Sequence, residues 1–441
     1  MNESGLIYLL WSDLVGMTRT RGVPLRDFER RLESGLGWAC AGQAMTPFEH
    51  LADNPWGPVD EVRQIPDADT RFEIPAAGDY PALHAVICDS QPTPGVEWGA
   101  CVRNFCRKAI ADLKAETGLD LIAAFELEFL LQADDFVTEA PFSFAAAALQ
   151  HRFLTALEQM LSAAGVAPET VEPEYGRGQY EVSCRPRAAL KAANAALISS
   201  EITREAARRH GLRASFSPKP TPDHVGNGSH IHFSLADSQG QNVTGGGGGG
   251  GPGPLGLGET AAKFCAGILA HMDALLAITA PSPVSYHRLG PHHWSTGYRC
   301  IGVNNREAAV RIMPGISRDA ETAAKGFNIE IRAADCTASP YLAVGVLARA
   351  GLEGIRRNLQ LPPPTQIDPA EMTEAAREEA GITELPTSLD AALEALKGDE
   401  VVRDWFPDEL YQSFLSIKSW EADYAKSTAP EQLFARYRHA Y

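Results

Sequence analysis

Charged and imidazole side chains stand at strand-like positions in four apolar segments of this sequence. They are Glu126 and Glu128 in AAFELEFLL, Glu181 in GQYEVS, His230 and His232 in GSHIHFSL, and Glu330 and Arg332 in NIEIRAAD. Residues two apart in an extended strand point to the same side, so each pair presents two polar groups on one face. Buried carboxylates and imidazoles are uncommon unless cations pair with them. The pattern therefore predicts a shared site lined with metal ions.

The acidic residues of these segments supply the donors that hard divalent cations prefer. Glu174 precedes Glu181 across a glycine-containing turn, and His230 adds one imidazole. Crowded carboxylates repel each other strongly unless divalent cations neutralise them. Oxygen-rich ligands with one histidine favour Mg²⁺ or Mn²⁺ over zinc, which prefers cysteine and histidine. We therefore expect two to three Mg²⁺ or Mn²⁺ ions in one site.

Arginines accompany the acidic residues in the second half of the chain. They are Arg288, Arg306, Arg311 and Arg332. Hard cations beside several arginines form the usual clamp for phosphoryl transfer, in which charge spreads over the phosphoryl oxygens. A single Glu-x-Glu or His-x-His pair more often belongs to the ordinary surface or core of a protein than to a functional site. Arg306 and Arg311, taken alone, could likewise be surface charges. The coincidence of all of them in strongly apolar strands favours the clamp.

Composition limits the class of protein and its location. The chain has 441 residues, 44% hydrophobic and 22% charged, with a formal net charge of −17. This length predicts two domains, and the negative charge argues against a general nucleic-acid or membrane binder. The eight cysteines are scattered without a CxxC pair, which fits a reduced cytosolic setting. No apolar run approaches the roughly 18–20 residues that span a bilayer, so a cytoplasmic protein is expected.

Turn-rich segments divide the chain. QPTPG at 91–95 predicts a boundary between a domain of residues 1–95 and a domain of residues 96–441. Strands alternate with helices in the second domain, and one long helix is predicted over 259–279. The glycine run at 245–251 predicts a flexible surface hairpin tip, to which we assign no chemistry.

Together these residues resemble the glutamine synthetase superfamily. The matching stretches are FELEFLL, EYGRGQYEV, GNGSHIHFSL, SYHRLGP, NNREAAVRIMP and IEIRAADCTASPYLA, in the family's order between residues 125 and 343. The resemblance implies an α+β fold, with a small β-grasp-like N-terminal domain and a larger catalytic domain built on a curved antiparallel sheet flanked by helices. It also implies a dodecamer of two stacked hexamers, with active sites between neighbouring subunits.

The resemblance assigns roles to individual side chains. The implied metal ligands are Glu128, Glu174 and Glu181 for a first ion, and Glu126, His230 and Glu330 for a second. The implied substrate contacts are Arg288 and Gly226 for glutamate, Arg306, Arg311 and Ser234 for phosphate and nucleotide, and His232 and Arg332 beside the transferred phosphoryl group. Among these, the resemblance implies that Arg288, Arg306 and Arg332 are catalytic. The implied reaction uses ATP to form γ-glutamyl phosphate, which an amine then converts to a γ-glutamyl amide.

The sequence departs from the family where ammonium would bind. Trp294 in LGPHHWSTG stands where true glutamine synthetases carry an acidic residue, and GLGWACAGQAM supplies Trp38, Ala39 and Cys40 in place of a second one. Tryptophan offers a cation only a cation–π contact of about 1 kcal/mol, whereas a larger amine can stack on the ring. The sequence therefore predicts the γ-glutamyl amide branch, a ligase for an amine larger than ammonia. The loss of acidic groups argues against a multiply charged polyamine.

Several alternatives remain at this stage. His292 or His293 would suit the base that deprotonates the amine, or both would merely shape the loop. Glutamine synthetase itself is the nearest rival function, and phosphorylation of another acid or of a guanidino group on the same scaffold is a further one. A catalytically inactive assembly protein is the rival from a different class. The sequence leaves the identity of the amine open.

Overall fold

The computed structural model describes residues 5–246, 254–292 and 294–441. Within these ranges the chain forms a smaller sheet followed by a larger one, with helices packed on both. Most of the predicted hairpin tip in the glycine run lies outside the described residues. His293, one of the two histidines considered as a base, also lies outside them.

The smaller sheet has the arrangement expected of a β-grasp-like domain. Its strands are β1 (Leu6–Ser12), β2 (Thr18–Pro24), β3 (Leu36–Ala39), β4 (Glu61–Pro66), β5 (Phe72–Ile74) and β6 (Leu83–Gln91). They are ordered β2-β1-β6-β4-β3, and β5 also pairs with β6. The central pair β1 and β6 is parallel, and the other pairs are antiparallel. Helix α1 (Phe28–Ser34) contributes Phe28 to an apolar cluster with Ile7, Leu9 and Val86.

The larger sheet carries the predicted polar strands side by side. Its strands are β7 (Asp120–Gln132), β8 (Pro168–Pro173), β9 (Gln179–Cys184), β10 (Arg187–Ala188), β11 (Arg213–Ser215), β12 (Ser229–Ala236), β13 (Tyr298–Val303), β14 (Ala308–Met313), β15 (Asn328–Ile331) and β16 (Thr383–Glu384). The order is β16-β13-β14-β15-β12-β7-β9-β8, with β10 and β11 also paired to β7. The curved sheet is antiparallel as predicted, apart from the parallel pair β13 and β14.

Helices cover the sheet and complete the core. They are α2 (Val102–Thr117), α3 (Phe144–Leu149), α4 (His151–Ala163), α5 (Ala189–Arg209), α6 (Glu259–Ala270), α7 (Met272–Thr279), α8 (Ala320–Lys325), α9 (Pro340–Arg356), α10 (Glu374–Glu379), α11 (Leu389–Gly398), α12 (Glu400–Asp404), α13 (Asp408–Lys426) and α14 (Pro430–Ala440). Helix α5 packs against β7, while α9 packs against both α2 and α6. The predicted α+β fold, with a helix-flanked sheet, is confirmed.

Strand β7 shows how the sequence separates core from site. Phe125, Leu127 and Phe129 are buried in the main apolar core, whereas Glu126 and Glu128 keep partial exposure on the other face. This is the alternation that a strand with one covered face requires. The predicted division of β7 into an apolar face and a carboxylate face is confirmed.

The predicted long helix over 259–279 is wrong because the chain bends sharply at His271. Helices α6 and α7 meet there at 77°. The buried His271 ring places Nδ1 at 2.6 Å from Asp399 Oδ2 and packs edge-on against Trp405. No single helix in the described ranges is long and apolar enough to cross a membrane, although the bent pair passes the length and composition test when taken together.

A buried arginine forms hydrogen bonds with both domains. Arg103 on α2 is 3% exposed; its Nη1 donates to Asp89 Oδ1 at 2.8 Å and its Nη2 to Asp67 Oδ2 at 2.6 Å. Its Nε donates to Asn194 on α5 at 3.1 Å, so one guanidinium contacts the smaller sheet and the helix layer of the larger one. We propose residue 95 as the domain boundary, since PTPG at 92–95 falls between the end of β6 and the start of α2.

A second buried ion pair fixes the C-terminal helices. Lys418 and Glu421 on α13 are fully buried, with Nζ 2.7 Å from Oε1. Tyr437 on α14 donates its hydroxyl to Glu421 Oε2 at 2.5 Å. Burial raises the pKa of Glu421, and the Lys418 ammonium offsets part of that rise. The carboxylate therefore joins two helices that pack next to each other.

We expect Glu421→Ala to lower the free energy of unfolding by about 3–5 kcal/mol, because it leaves the Lys418 ammonium buried without its counterion. The double variant Lys418→Met/Glu421→Gln should lose much less, since it removes the charge and keeps an acceptor for Tyr437. Urea unfolding followed by circular dichroism measures both. A double variant as unstable as the single one would contradict this account.

Candidate active site

A cavity of about 850 Å³ opens on the polar face of the larger sheet. Side chains from β7, β8, β9, β12 and β14 line it, together with the loops that follow β8, β11 and β15 and the loops that precede β13 and β14. The structure brings all the sequence-predicted site residues to this cavity wall except Glu330 and Ser234. Glu330 is fully buried beneath the wall, and Ser234 lies on β12 two residues beyond His232, on the same face.

Strand register places the acidic residues next to the histidines. His230 on β12 pairs with Glu126 on β7, and Glu128 on β7 pairs with Glu181 on β9. His230 Nδ1 lies 3.5 Å from a Glu126 oxygen, 3.8 Å from a Glu128 oxygen and 3.6 Å from a Glu330 oxygen. One imidazole is therefore surrounded by three carboxylates from two strands.

Glu126 and the histidines of β12 stabilise each other's charge. His232 Nε2 lies 3.2 Å from Glu126 Oε1, on the other side from His230. Burial acts to raise the pKa of Glu126, but hydrogen bonds with the two histidines outweigh it and lower the pKa. Burial acts to lower the pKa of His232, yet Glu126 raises it to about 9. The Glu126 carboxylate is ionised in this setting.

Two other carboxyls are pushed towards the protonated form. Burial raises the pKa of Glu181 to about 10, helped by the negative charges of Glu126 and Glu128. Burial and Glu128 likewise raise the pKa of Glu174 to about 7. Both shifts arise because acidic groups share a poorly solvated space, and a bound cation would reverse them.

The donor set fits hard divalent cations. Two groups of ligand atoms lie within 4.8 Å of one another: Glu126, Glu181 and His230, and Glu126, His232 and Glu330. The first group cuts across the division that the sequence resemblance implies, because Glu181 of the first ligand set lies with Glu126 and His230 of the second. Carboxylate oxygens with imidazole nitrogens are ligands suited to Mg²⁺ or Mn²⁺.

The remaining proposed ligands, Glu128 and Glu174, are oriented by backbone amides. Glu128 Oε2 accepts the Gly228 N–H at 2.7 Å and the Gln179 side-chain amide at 3.2 Å. Glu174 Oε2 accepts the Tyr175 N–H at 2.8 Å. Such hydrogen bonds fix carboxylates before a ligand arrives.

Arginines converge on Glu330 and extend towards the cavity. Arg311 Nη1 donates to Glu330 Oε2 at 2.8 Å, and Arg332 Nη1 donates to the other oxygen. Burial acts to raise the pKa of Glu330, but the charges of Arg332, His230 and His232 together outweigh it and lower the pKa. Arg332 Nε also donates to the Arg306 carbonyl at 2.9 Å, which links three arginines of the cavity wall. Guanidinium groups beside a cluster of carboxylates can stabilise a transferring phosphoryl group.

The glycines before β12 let the backbone pass close to Arg288. Gly226 has φ 102°, and a Cβ there would lie 2.7 Å from the Pro218 carbonyl and 2.9 Å from Arg288 Cγ. A Cβ on Gly228 would lie 2.8 Å from both Arg288 and His230 side-chain nitrogens. Glycine at both positions therefore permits this close approach of the backbone. Gly226 and Arg288 adjoin at the cavity wall.

Trp294 lies at the cavity mouth on the loop before β13. Its ring is 55% exposed and lies 5.9 Å from the Tyr175 ring at an angle of 45°. His292 on the same loop lines the cavity and places Nδ1 at 2.8 Å from Asp368 Oδ2. Trp38 packs edge-on against Trp11 and is not among the described residues that line this cavity.

Sequence reasoning missed several residues of the site. Gln179 bridges Glu128 and the Gly226 carbonyl, and Lys219 lines the cavity with a pKa lowered by burial and by Arg288. Tyr175 and Gln179 stand in EYGRGQYEV, the motif that already contains Glu174 and Glu181, so their position offered a signal. The acidic side chains Glu169, Glu172 and Asp223 also line the cavity, and only their location in the fold reveals this.

Two family models match consecutive parts of the chain. The model described as the glutamine synthetase N-terminal domain matches residues 1–98. The model described as the glutamine synthetase catalytic domain matches residues 99–437. The second match contains every residue discussed at the cavity.

Curated proteins similar to this chain carry two kinds of name. Gamma-glutamylpolyamine synthetase GlnA3 of Streptomyces coelicolor is 31% identical over 452 residues, covering 99% of this chain and 93% of the relative. Glutamine synthetase of Pyrococcus furiosus is 31% identical over 426 residues, covering 94% of this chain and 90% of the relative.

Solved structures agree with this relationship. A crystal structure described as a novel glutamine synthase homolog superimposes with a TM-score of 0.91 at 36% identity, covering 100% of this chain and 99% of the other. A GmaS/ADP complex superimposes with a TM-score of 0.83 at 25% identity, covering 98% and 96%. The chain belongs to the glutamine synthetase family.

Proposed function

We propose that this protein is an ATP-dependent ligase that joins the γ-carboxylate of glutamate to an amine larger than ammonia. The observation that carries the proposal is the exposed Trp294 ring at the mouth of a carboxylate- and arginine-lined cavity. The cavity wall supports the phosphoryl-transfer half of the reaction, and the Trp294 loop supports the choice of amine.

In the first half of the proposed reaction, the arginines bind the substrates and the acidic residues bind the metal ions. In this proposal Arg288 binds glutamate beside Gly226, while Arg306, Arg311 and Ser234 contact ATP. Arg332 and His232 then lie next to the transferred phosphoryl group. The residues that would hold two to three Mg²⁺ or Mn²⁺ ions are Glu126, Glu128, Glu174, Glu181, His230 and Glu330. Bound there, the ions would neutralise charge on the phosphate oxygens.

The two bond changes follow from the need to activate a carboxylate. A γ-carboxylate oxygen of glutamate bonds to the terminal phosphorus of ATP, and the bond to ADP breaks. The nitrogen of a neutral amine then bonds to the acyl carbon, and inorganic phosphate leaves with the former carboxylate oxygen. The amine loses one proton in this step. We propose His292 as the base that accepts it, because His292 lines the cavity.

The cavity mouth favours an amine with a carbon arm and more than one positive charge. Trp294 and Tyr175 are both 55% exposed and offer ring faces to a carbon chain. Glu169, Glu172 and Asp223 line the same cavity and add negative charge. These carboxylates reverse the sequence argument against a polyamine. The name of the Streptomyces coelicolor relative, gamma-glutamylpolyamine synthetase, supports the same class.

Glutamine formation from ammonia is the second candidate. The Pyrococcus furiosus relative is named glutamine synthetase, which favours this candidate. Its sequence identity to this chain equals that of the relative named gamma-glutamylpolyamine synthetase, 31% in both cases. Trp294 opposes it, because an apolar ring cannot supply the compact negative charge that a small ammonium ion requires. An inactive assembly protein is disfavoured, since an empty cluster of buried carboxylates would only cost stability.

We further propose a dodecamer of two stacked hexamers in the cytoplasm. The eight cysteines are all unpaired, which suits a reducing compartment. Trp38, in the segment that the family places near the ammonium site, does not line the cavity of its own chain. A ring in which neighbouring subunits complete each other's sites would bring that segment to a different cavity.

Incubation with ATP, Mg²⁺, γ-carboxylate-¹⁸O-labelled glutamate and a panel of amines tests the proposal. We expect one ¹⁸O atom in each released phosphate, because the labelled carboxylate oxygen leaves with the phosphoryl group. We also expect mass spectrometry to detect the γ-glutamyl amide of an alkylamine, diamine or polyamine. Glu128→Ala should reduce turnover by more than about 100-fold, the upper end of the loss caused by an outer metal contact.

Glu394→Ala is the matched control, because it removes an exposed carboxylate on α11 outside the cavity. Its turnover should equal that of the unaltered protein. Phosphate without ¹⁸O would exclude the acyl-phosphate route. Full activity in Glu128→Ala would contradict the metal assignment.

We expect metal binding to release about one proton per site at pH 7, because metal ligands must be deprotonated. Glu181, whose pKa is raised to about 10, carries a proton at that pH before metal binds. The apparent affinity for Mn²⁺ should therefore rise with pH between about 6 and 8. Calorimetry in buffers of different ionisation enthalpy measures the release, and Glu181→Gln should abolish most of it. Metal binding without any proton release would contradict the Glu181 assignment.

A further inference from the structure

The loop that carries Trp294 adopts an unusual backbone conformation. His292, Trp294 and Thr296 have φ of 61°, 53° and 71°. Side chains other than glycine rarely take left-handed values, and three within five residues require contacts that hold them. The contacts responsible therefore determine where the Trp294 ring lies.

Glu307, directly before β14, provides the main contacts. Its Oε1 accepts the Trp294 N–H at 2.9 Å, and its carbonyl accepts the Thr296 hydroxyl at 2.9 Å. Arg332 Nη2 donates to the Trp294 carbonyl at 2.6 Å. Both polar backbone groups of Trp294 are thus held, one by Glu307 and one by an arginine of the cavity wall.

Glu307 is buried and is not among the described residues that line the cavity. It is 6% exposed, and its own N–H donates to the Asn305 side chain at 3.0 Å. Burial raises the pKa of its carboxyl, which the hydrogen bond from Trp294 partly offsets. A buried carboxyl costs stability unless its hydrogen bonds compensate. Here the loop compensates through Oε1, which accepts the Trp294 N–H, while Oε2 is buried without a hydrogen-bond partner.

The ring opposite Trp294 is anchored in a similar way. The Tyr175 N–H donates to Glu174 Oε2 at 2.8 Å, so a carboxylate holds the backbone of each ring. The Phe142 ring lies 6.3 Å from the Tyr175 ring, and Phe142 is 59% exposed. Exposed aromatic surface therefore extends from the cavity mouth to Phe142.

We propose that Glu307 is a positioning residue that fixes Trp294 opposite Tyr175, and that these two rings bind the carbon arm of the amine. This inference rests on the proposed function, which it deepens. Specificity for the amine then depends on a carboxyl that touches no substrate. Loss of Glu307 releases the loop and disturbs the amine subsite, whereas the glutamate and ATP contacts stay in place.

Steady-state kinetics of Glu307→Ala and Glu307→Gln test the proposal. Glu307→Ala should raise KM for the preferred amine about tenfold or more, as expected for loss of a buried hydrogen bond to a charged group. KM for glutamate and for ATP should stay within about twofold. Glu307→Gln should behave like the unaltered protein, because the amide oxygen accepts the same Trp294 N–H.

A double variant tests whether Glu307 acts through Trp294. Trp294→Ala/Glu307→Ala should have no higher amine KM than Trp294→Ala alone, because the two changes remove the same interaction. Asp237→Ala is the control: Asp237 also accepts backbone N–H groups, from Gln239 and Gln241, but lies outside the cavity lining. Its amine KM should not change. Additive effects of Trp294 and Glu307, or equal damage in Glu307→Gln and Glu307→Ala, would overturn the proposal.

Hydrogen–deuterium exchange of the peptide covering residues 290–297 separates this inference from the proposed function. Exchange in the absence of substrate should accelerate in Glu307→Ala and remain slow in Glu307→Gln. Unchanged exchange in Glu307→Ala would refute the positioning role whatever the substrate. If the unaltered protein uses ammonia alone, the proposed function and the amine subsite fall, while the exchange result still decides the positioning role.

Discussion

Repulsion among buried carboxylates is the constraint on which this structure depends. Glu126, Glu128 and Glu181 meet from two adjacent strands because antiparallel register pairs them across β7 and β9. A site of this kind persists only if histidines, arginines and bound cations offset the negative charge. The glycine turn before β12 and the buried ion pairs of Glu330 both help to offset this negative charge. The proposed transfer of a phosphoryl group would use the same balance of charge, because the charge of that group also requires cations.

Arg332 connects the two halves of the proposed reaction. It pairs with Glu330 at the metal side, and it donates to the carbonyls of Arg306 and Trp294. Its own carbonyl accepts Arg288 Nη2 at 3.0 Å. Arg332 therefore contacts, through its side chain and its carbonyl, groups that are proposed to face ATP, glutamate and the amine.

The sequence predicts the strands of the site well and its supporting contacts poorly. Alternation in FELEF and SHIHF identifies β7 and β12, because the period of two is a local property. Glu307 and Gln179 escaped notice because their roles depend on distant partners in the fold. The bend at His271 was missed for the same reason, since its partner Asp399 lies between α11 and α12, 128 residues further along the chain. Local sequence patterns therefore predict which residues face the cavity. The residues that position them are determined by burial and by hydrogen bonds between distant parts of the chain, which no local pattern reveals.

Direct competition between ammonium and a larger amine tests the central claim most sharply. The protein would be incubated with ATP, Mg²⁺, glutamate and equal concentrations of ammonium and the best amine of a panel. Mass spectrometry of the two products gives the ratio of their kcat/KM values. We expect the γ-glutamyl amide of the larger amine to exceed glutamine by at least about tenfold, a difference of about 1.4 kcal/mol in transition-state binding. Glutamine as the main product would contradict the account.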